Sequence, residues 1–373
     1  GAAAGAGHPA GNPGGDDPTA GVAGPEPGAG AAERARSGPD AAAARAPRAE
    51  AEKDRPWPPA ARVLRPGEAP RIHLVSTLKN EGPYLVEWIA YHRAIGVTDF
   101  TLFSNDCSDG TNLMLDRLEA MGVVRHFDNP LAPGMDPQRR AYSRANKMEA
   151  VRAADWVVVI DADEFVNVRT GGRTLPELIA ACPGADAISL GWRFMGSSGH
   201  ARWEDAPVTA RFRRGCSLKA PENGLVRGFK TLFRPAAFDF FGVHRPRFEK
   251  SRTVLPRVRW VDGSGRPMRE RVLTNGWRFS EEEAGYDLGW VNHYAVKSRE
   301  EFLLKRLRGT ANSKDAGRID FGYWDKLDLN ALPDDALPRG ALPTGALPDE
   351  MDRLLADADL AALRRACLAS ARK

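Results

Sequence analysis

The sequence predicts an α/β domain of Rossmann-like type, with a mostly parallel sheet and flanking helices. Three observations carry that expectation. From Arg71 to about Trp324, apolar runs of strand length alternate with segments of helical period, which implies βαβ units. One run, Trp156 to Ile160, is unbroken and rich in β-formers, as befits a strand covered on both faces. Directly after it, Asp161-Ala162-Asp163-Glu164-Phe165 sets two aspartates two residues apart. That is the strand end at which open α/β sheets bind ligands.

The elements follow in order. Ile72 to Leu78 reads as a first strand, broken by Asn80-Glu81-Gly82-Pro83. Pro83 suits the first turn of a helix. Leu85, Trp88, Ile89 and His92 then recur at helical spacing, and Gly96 can stop that helix. Phe100 to Ser104 is a second strand, Asn105 to Gly110 a polar loop, Leu113 to Met121 a helix and Val123 to Phe127 a third strand. Ser143 to Ala153 reads as a helix leading into the Trp156 strand. After Ile188 the pattern turns short, aromatic and basic, which suggests strands joined by long loops.

The flanks read differently. Residues 1–68 are dominated by Ala, Gly, Pro and scattered charge. Such a segment cannot bury enough surface to offset its ordering entropy, so disorder is expected there. The folded domain is then 69–330. Residues 331–350 repeat a five-residue unit beginning Ala-Leu-Pro four times. Proline at that period forbids a long helix, so an extended linker is expected. Residues 351–373 read as a short amphipathic helix that docks on the body.

Composition narrows the function. The chain has 373 residues, 53 of them basic and 49 acidic, for a formal net charge of +4. That balance makes no case for nucleic acid, but a few local Arg and Lys suffice for a phosphate-bearing small molecule. Cys107, Cys182, Cys216 and Cys367 lie far apart with no CxxC pair, which fits neither a zinc ribbon nor a dense disulfide framework. No apolar run approaches the roughly 20 residues of a spanning helix, and the first residues show no signal-peptide pattern. The expected location is cytoplasmic, with peripheral attachment to a membrane left open.

Asp161 and Asp163 project to the same side of an extended chain. Two carboxylates at a strand end suit a hard divalent cation that bridges to a diphosphate. The plainer alternative is a solvated acidic loop, or Asp163 serving as a helix cap. Asp106 sits after the second strand, where an acidic residue can accept from a base or ribose. An Asn/Asp/Gly turn is the plainer reading there.

Several segments together resemble the glycosyltransferase family 2 superfamily, and within it the bacterial branch related to the family 92 transferases. They are Ser76-Thr77-Leu78-Lys79-Asn80-Glu81, Glu87-Trp88-Ile89-Ala90-Tyr91-His92, Ser104-Asn105-Asp106-Cys107-Ser108-Asp109-Gly110-Thr111 and Asp161-Ala162-Asp163-Glu164-Phe165. Trp192-Arg193-Phe194-Met195-Gly196-Ser197-Ser198-Gly199, Lys230-Thr231-Leu232-Phe233-Arg234-Pro235 and Asn292-His293-Tyr294-Ala295-Val296-Lys297-Ser298 agree with it. The resemblance implies a GT-A fold, a nucleoside diphosphate sugar as donor, Mn2+ or Mg2+ as cofactor, and inversion at the anomeric carbon. It places Thr77, Asn80, Glu81, Asp106 and Asp161 by the nucleotide, and Asp161 and Asp163 on the metal. His293 is the candidate further metal or phosphate ligand, with His244 its rival. Lys230, Arg234, Lys297, Lys305 and Arg306 could meet diphosphate charge, although an ordinary basic surface is the plainer reading for most of them. The Gln-x-x-Arg-Trp motif of processive polysaccharide synthases is absent, so no cellulose-type synthase is expected.

The implied enzyme moves a sugar to a glycan or other hydroxyl acceptor, as in polysaccharide biosynthesis. An inverting transfer needs a carboxylate that takes the acceptor proton. Glu204, then Asp205, are the candidates, because they follow the Gly196–Gly199 loop expected on the acceptor side. Two rivals stand beside this reading. A nucleotidyltransferase would carry a Gly-rich basic loop after the first strand, where Lys79-Asn80-Glu81-Gly82-Pro83 stands. A non-catalytic scaffold that binds nucleotide sugars would share every residue named.

Overall fold

The computed structural model describes residues 68–132, 134–218, 228–251, 257–279, 284–308, 319–333 and 346–371. The segment expected to be disordered, up to residue 67, and most of the expected linker lie outside the described residues.

The first half alternates as the sequence reads: β1 (Ile72–Leu78), α1 (Gly82–Ala94), β2 (Asp99–Ser104), α2 (Thr111–Ala120), β3 (Arg125–Asp128), α3 (Pro137–Ala145), α4 (Glu149–Arg152) and β4 (Trp156–Val159). The chain then turns through Asp161 into β5 (Glu164–Val168), α5 (Leu175–Ala180) and β6 (Ala187–Phe194). Shorter pieces follow: α6 (Val208–Arg211), β7 (Arg214–Gly215), β8 (Phe229–Phe233), β9 (Phe240–Phe241), β10 (Pro246–Arg247), β11 (Trp260–Asp262) and α7 (Arg271–Thr274). β12 (Gly289–His293), α8 (Arg299–Arg308), α9 (Phe321–Leu327), β13 (Leu332–Pro333), α10 (Ala346–Leu355) and α11 (Ala358–Ala371) complete the order.

The main sheet runs β3-β2-β1-β4-β8-β6-β12-β5, with β11 beside β6. β3, β2, β1 and β4 are mutually parallel, as are β6, β11 and β12. β8 runs antiparallel to both its neighbours, and β5 runs antiparallel to β12. The expected Rossmann-like, mostly parallel sheet with flanking helices is thus observed. β1 and β4 are buried along their whole length because helices cover both faces. One face packs Trp88 and Ile89 of α1, Met114 of α2, Leu354 of α10 and Leu360 and Cys367 of α11. The other packs Ala141 and Tyr142 of α3, Val151 of α4, and Phe238, Phe241 and Trp260.

Two local readings differ from the sequence expectation. The helix read over Ser143 to Ala153 is two helices, the first starting at Pro137. Asp136 caps it by accepting from Arg139 N at 2.9 Å, with Pro137 in its first turn. Asn146 ends it: its amide donates to Phe241 O and its oxygen accepts from Phe241 N. The side chain thereby pairs like a strand and competes with the helix. At the C-terminal side, the last Ala-Leu-Pro unit is not linker but the start of α10, because Pro348 falls in a first turn where no amide donor is needed. The single helix read beyond Met351 is two, α10 and α11, and they pack against α1 and α2. Among the described residues no helix is long and apolar enough to cross a membrane.

Candidate active site

The chain leaves the sheet centre at the end of β4 and re-enters at the far edge as β5. Asp161-Ala162-Asp163 is the turn that makes this jump. The register His293↔Glu164 between β12 and β5 then brings His293 beside Asp163. Asp163 O accepts from Tyr294 N at 2.8 Å, which ties the turn to the end of β12. Two residues far apart in sequence are joined by strand pairing alone.

The two aspartates are held by different cations. Asp163 Oδ2 accepts from Lys305 Nζ of α8 at 2.9 Å, and its Oδ1 lies 3.5 Å from His293 Nε2. Burial pushes this carboxyl up, but Lys305 and His293 overcome burial and hold it well below the usual carboxylate range. Asp161 Oδ2 accepts from Lys230 Nζ at 3.0 Å, and its Oδ1 from Gln138 Nε2 at 2.9 Å. Lys230 is 1% exposed and also pairs with Glu164 at 3.3 Å. Glu164 is wholly buried and accepts from Asp161 N at 2.9 Å. Burial raises its carboxyl to about 7 against the pull of Lys230. Burial opposes the charge on Lys230, yet Asp161 and Glu164 hold it firmly protonated.

A cavity of about 510 Å³ opens at the carboxyl ends of β1 and β2. Lys79, Asn80, Tyr84, Asp106, Lys297 and Lys305 are among its walls, and Ser370 and Ala371 of α11 complete them. Asn80, Asp106 and Lys297 have φ of 54°, 42° and 59°, the left-handed region that side chains rarely adopt. Such strain gathers where surrounding structure fixes a functional loop. Asn80 and Ser108 lock the first two loops together, with Asn80 Oδ1 accepting from Ser108 N at 2.7 Å. Lys297 Nζ stands 4.4 Å from the Tyr84 ring centre. α8 is fixed by Glu301, which takes a two-pronged ion pair from Arg211 at 2.8 and 2.9 Å and a bond from Tyr84 Oη at 3.0 Å. Burial would raise the Glu301 carboxyl, but Arg211 lowers it. Lys305 therefore reaches both the cavity and Asp163 from a rigid helix.

The candidate residues divide accordingly. Asn80 and Asp106 face the cavity. Thr77 is buried within β1, and Glu81 stands at the N-terminal end of α1. Asp161 is turned to Gln138 and Lys230. Asp163 and His293 lie together. His244 is half-buried and stacked 4.1 Å over Trp277, and desolvation drives the imidazole down to about 2. Arg234 covers Trp156, and Arg306 binds Ile319 O, so both are structural. Asp205 forms an ion pair with Arg364 of α11 at 2.6 Å. Glu204 is largely exposed, 3.7 Å from His200 Nδ1. Sequence reasoning passed over Gln138, Glu164 and Tyr84. Glu164 could have been found from its place inside the Asp161–Phe165 segment; Gln138 carries no such mark.

A divalent ion fits this setting in part. Among the described residues no three or more His, Cys, Asp or Glu side chains gather closely enough to hold one alone. Asp163 and His293 do form an oxygen–nitrogen pair, and His293 Nδ1 is buried without a hydrogen-bond partner. Mg2+-type sites take one or two carboxylates and complete their shell with substrate phosphates and water, and this donor set suits that arrangement.

Residues 75–258 match the sequence profile described as glycosyltransferase family 92. A family 92 protein of Oryza sativa subsp. japonica is 28% identical over 167 residues, covering 43% of this chain and 26% of that protein. A family 92 protein of Ricinus communis is 30% identical over 108 residues, 28% of this chain and 19% of that protein. The chain thus spans about a fifth to a quarter of the length of these relatives. Both are plant proteins, so nothing here speaks for a specifically bacterial branch. Among solved structures, S. aureus TarS 1-349 is 11% identical with a TM-score of 0.29, covering 45% of this chain and 48% of that one. The mannosyltransferase PcManGT from Pyrobaculum calidifontis, in complex with GDP-Man and Mn2+, is 19% identical with a TM-score of 0.26, covering 36% and 39%. By its profile match and its relatives, the chain is related to glycosyltransferase family 92.

Proposed function

We propose that this chain is a glycosyltransferase that moves a sugar from a nucleoside diphosphate donor to a glycan or other hydroxyl acceptor, with inversion. One observation carries the reading: the cavity beyond β1 and β2 joins a polar rim, Asn80 and Asp106, to three lysines, one of which grips Asp163. The nucleoside would rest against Asn80 and Asp106, and Tyr84 offers an aromatic wall. Lys79, Lys297 and Lys305 would meet the diphosphate. Asp163 and His293, with Asp161 behind them, would hold Mn2+ or Mg2+. Bound there, the ion would serve as a Lewis acid toward the leaving diphosphate.

The transfer itself is a displacement. The acceptor oxygen bonds to the anomeric carbon as the bond from that carbon to the diphosphate oxygen breaks. The diphosphate leaves with the electron pair, and the acceptor proton goes to a carboxylate. Arg364 already holds Asp205, so Glu204 is the proposed base, directly or through His200. Calorimetry with UDP and GDP, with and without EDTA, tests the donor half. Micromolar binding that weakens when metal is stripped is expected, and tight binding indifferent to EDTA would remove the metal from the reading.

A further inference from the structure

A second cavity, of about 490 Å³, lies beyond the end of β6. Ser197, Ser198, His200, Arg214, Arg299 and Trp324 are among its walls, with Asp328 and Asn330 beneath. We infer that it is an acceptor subsite for a carbohydrate bearing an anionic group, carboxylate or phosphate. The inference rests on the glycosyltransferase reading for its role, though not for the ligand chemistry.

The walls are built rather than incidental. Asp328 Oδ1 accepts from Ser197 N at 2.6 Å, and Asn330 Oδ1 from Ser198 N at 2.7 Å. The Asn330 amide donates back to Asp328. These bonds hold the Gly196–Gly199 loop in a shape that needs φ of 52° at Ser198 and 82° at Gly199. A Cβ on Gly196 would stand 2.5 Å from Leu329 O, so only glycine lets the loop sit so close to this floor. Trp324 is fixed by the buried Phe302, whose ring lies 5.0 Å away in an edge contact.

Donors outnumber acceptors inside. Ser198 Oγ accepts from Arg214 N, and Ser197 Oγ from Gly199 N, so each hydroxyl keeps its proton to give. Arg214, a lining residue, spends Nε on Asn330 O and has further guanidinium N–H groups to give. Arg299 brings five more donors and no acceptor. Against these, Asp328 spends Oδ1 on the floor and offers Oδ2. Glu300 Oε2 accepts from Trp203 N, and Glu204, 3.7 Å from His200, is not among the cavity's lining residues. A neutral sugar brings donors and acceptors in equal measure. Two guanidiniums beside two hydroxyls favour an oxyanion, and the Trp324 face gives the sugar's C–H surface a place to stack.

Its position fits an acceptor. Met195 N donates to His293 O at 3.0 Å, so the loop leaves β6 beside the end of β12 that carries His293. Arg299 and Lys305 lie on the same helix, α8. Six residues at 1.5 Å each separate them by roughly 9 Å along the axis. Arg299 lines the second cavity and Lys305 the first, so one rigid helix spaces the two ligands.

The test uses the full chain, with ligand-observed NMR and calorimetry. The probes are a galacturonate disaccharide, glucose 6-phosphate, inorganic phosphate and the neutral galactose disaccharide. One of the two anionic sugars should bind at least ten-fold more tightly than the neutral one, and which of them does so names the anion. Arg299→Gln and Arg214→Gln should each weaken it by about ten- to a hundred-fold, the range for a hydrogen bond to a charged group. Trp324→Leu should weaken all sugars alike. Equal binding of neutral and anionic sugars, or a preference that survives the double arginine variant, overturns the inference. Inorganic phosphate binding as tightly as glucose 6-phosphate overturns its carbohydrate half. UDP binding is measured in parallel. Loss of UDP binding with anionic-sugar binding intact would refute the donor reading and leave this one standing.

Discussion

Replacing Lys230 with methionine should be among the most damaging single changes in this protein. The lysine is 1% exposed and serves two carboxylates, Asp161 at 3.0 Å and the wholly buried Glu164 at 3.3 Å. Removing one partner of a buried ion pair costs about 3–5 kcal/mol, because the other is left charged in a poor solvent. At roughly 2–4 °C per kcal/mol for a domain of this size, the melting temperature should fall by about 6–20 °C. Asp161 is a quarter exposed and keeps Gln138, so most of the loss falls on Glu164. Burial already lifts that carboxyl to about 7, above its unfolded value, and without Lys230 it rises further. A raised acid binds more protons folded than unfolded, so its burden is small below about pH 4.5 and grows as pH rises toward the folded value. The slope is about 1.4 kcal/mol per pH unit for one group. Lys230→Met should therefore lose far more stability at pH 8 than at pH 5, and adding Glu164→Gln should flatten that difference. Thermal melts of the three proteins across pH decide it. A loss under about 1 kcal/mol, or one indifferent to pH, would refute the account of the buried cluster.

Other outcomes follow from the same structure. Asp163→Asn should weaken metal-assisted UDP binding by calorimetry, whereas Glu204→Gln should spare binding and lower turnover by about a hundred- to ten-thousand-fold. His92 is wholly buried and driven down to about 3 by burial. Its imidazole stays neutral in the fold but charges when unfolded, so it should subtract up to about 1.4 kcal/mol per pH unit below pH 6.5; stability curves of wild type and His92→Gln read this directly. Gly82→Ala would put a Cβ 2.7 Å from Cys367 Sγ, and hydrogen exchange should show α11 loosened. A chain beginning at Glu68 should keep the melting temperature of the full one.

Much of the first half was legible because burial on both faces leaves a plain mark: β4 is a continuous apolar run, β1 keeps Ile72, Leu74, Val75 and Leu78 at strand length, and Pro83 and Gly96 bracket α1. The Asp161–Asp163 turn was legible for the same reason. What stayed hidden depends on pairing between distant segments. Gln138 is an ordinary helix residue until α3 packs its side chain against Asp161. Lys230 reads as one basic residue among many until β8 inserts between β4 and β6. The break at Asn146 needs Phe241, nearly a hundred residues away in sequence, and no local propensity encodes it. Asp205 looked available to an acceptor until α11 supplied Arg364.

That last helix has a practical consequence. Ser370 and Ala371 line the first cavity, and Cys367 packs against Gly82 and Gly110 at the starts of α1 and α2. A cloned fragment trimmed to the matched span, 75–258, would omit β12, His293, Lys305 and the α10–α11 pair. It would bare the apolar side of α1 and leave β6 without β11 and β12, and so should be recovered as inclusion bodies rather than as a working catalytic core.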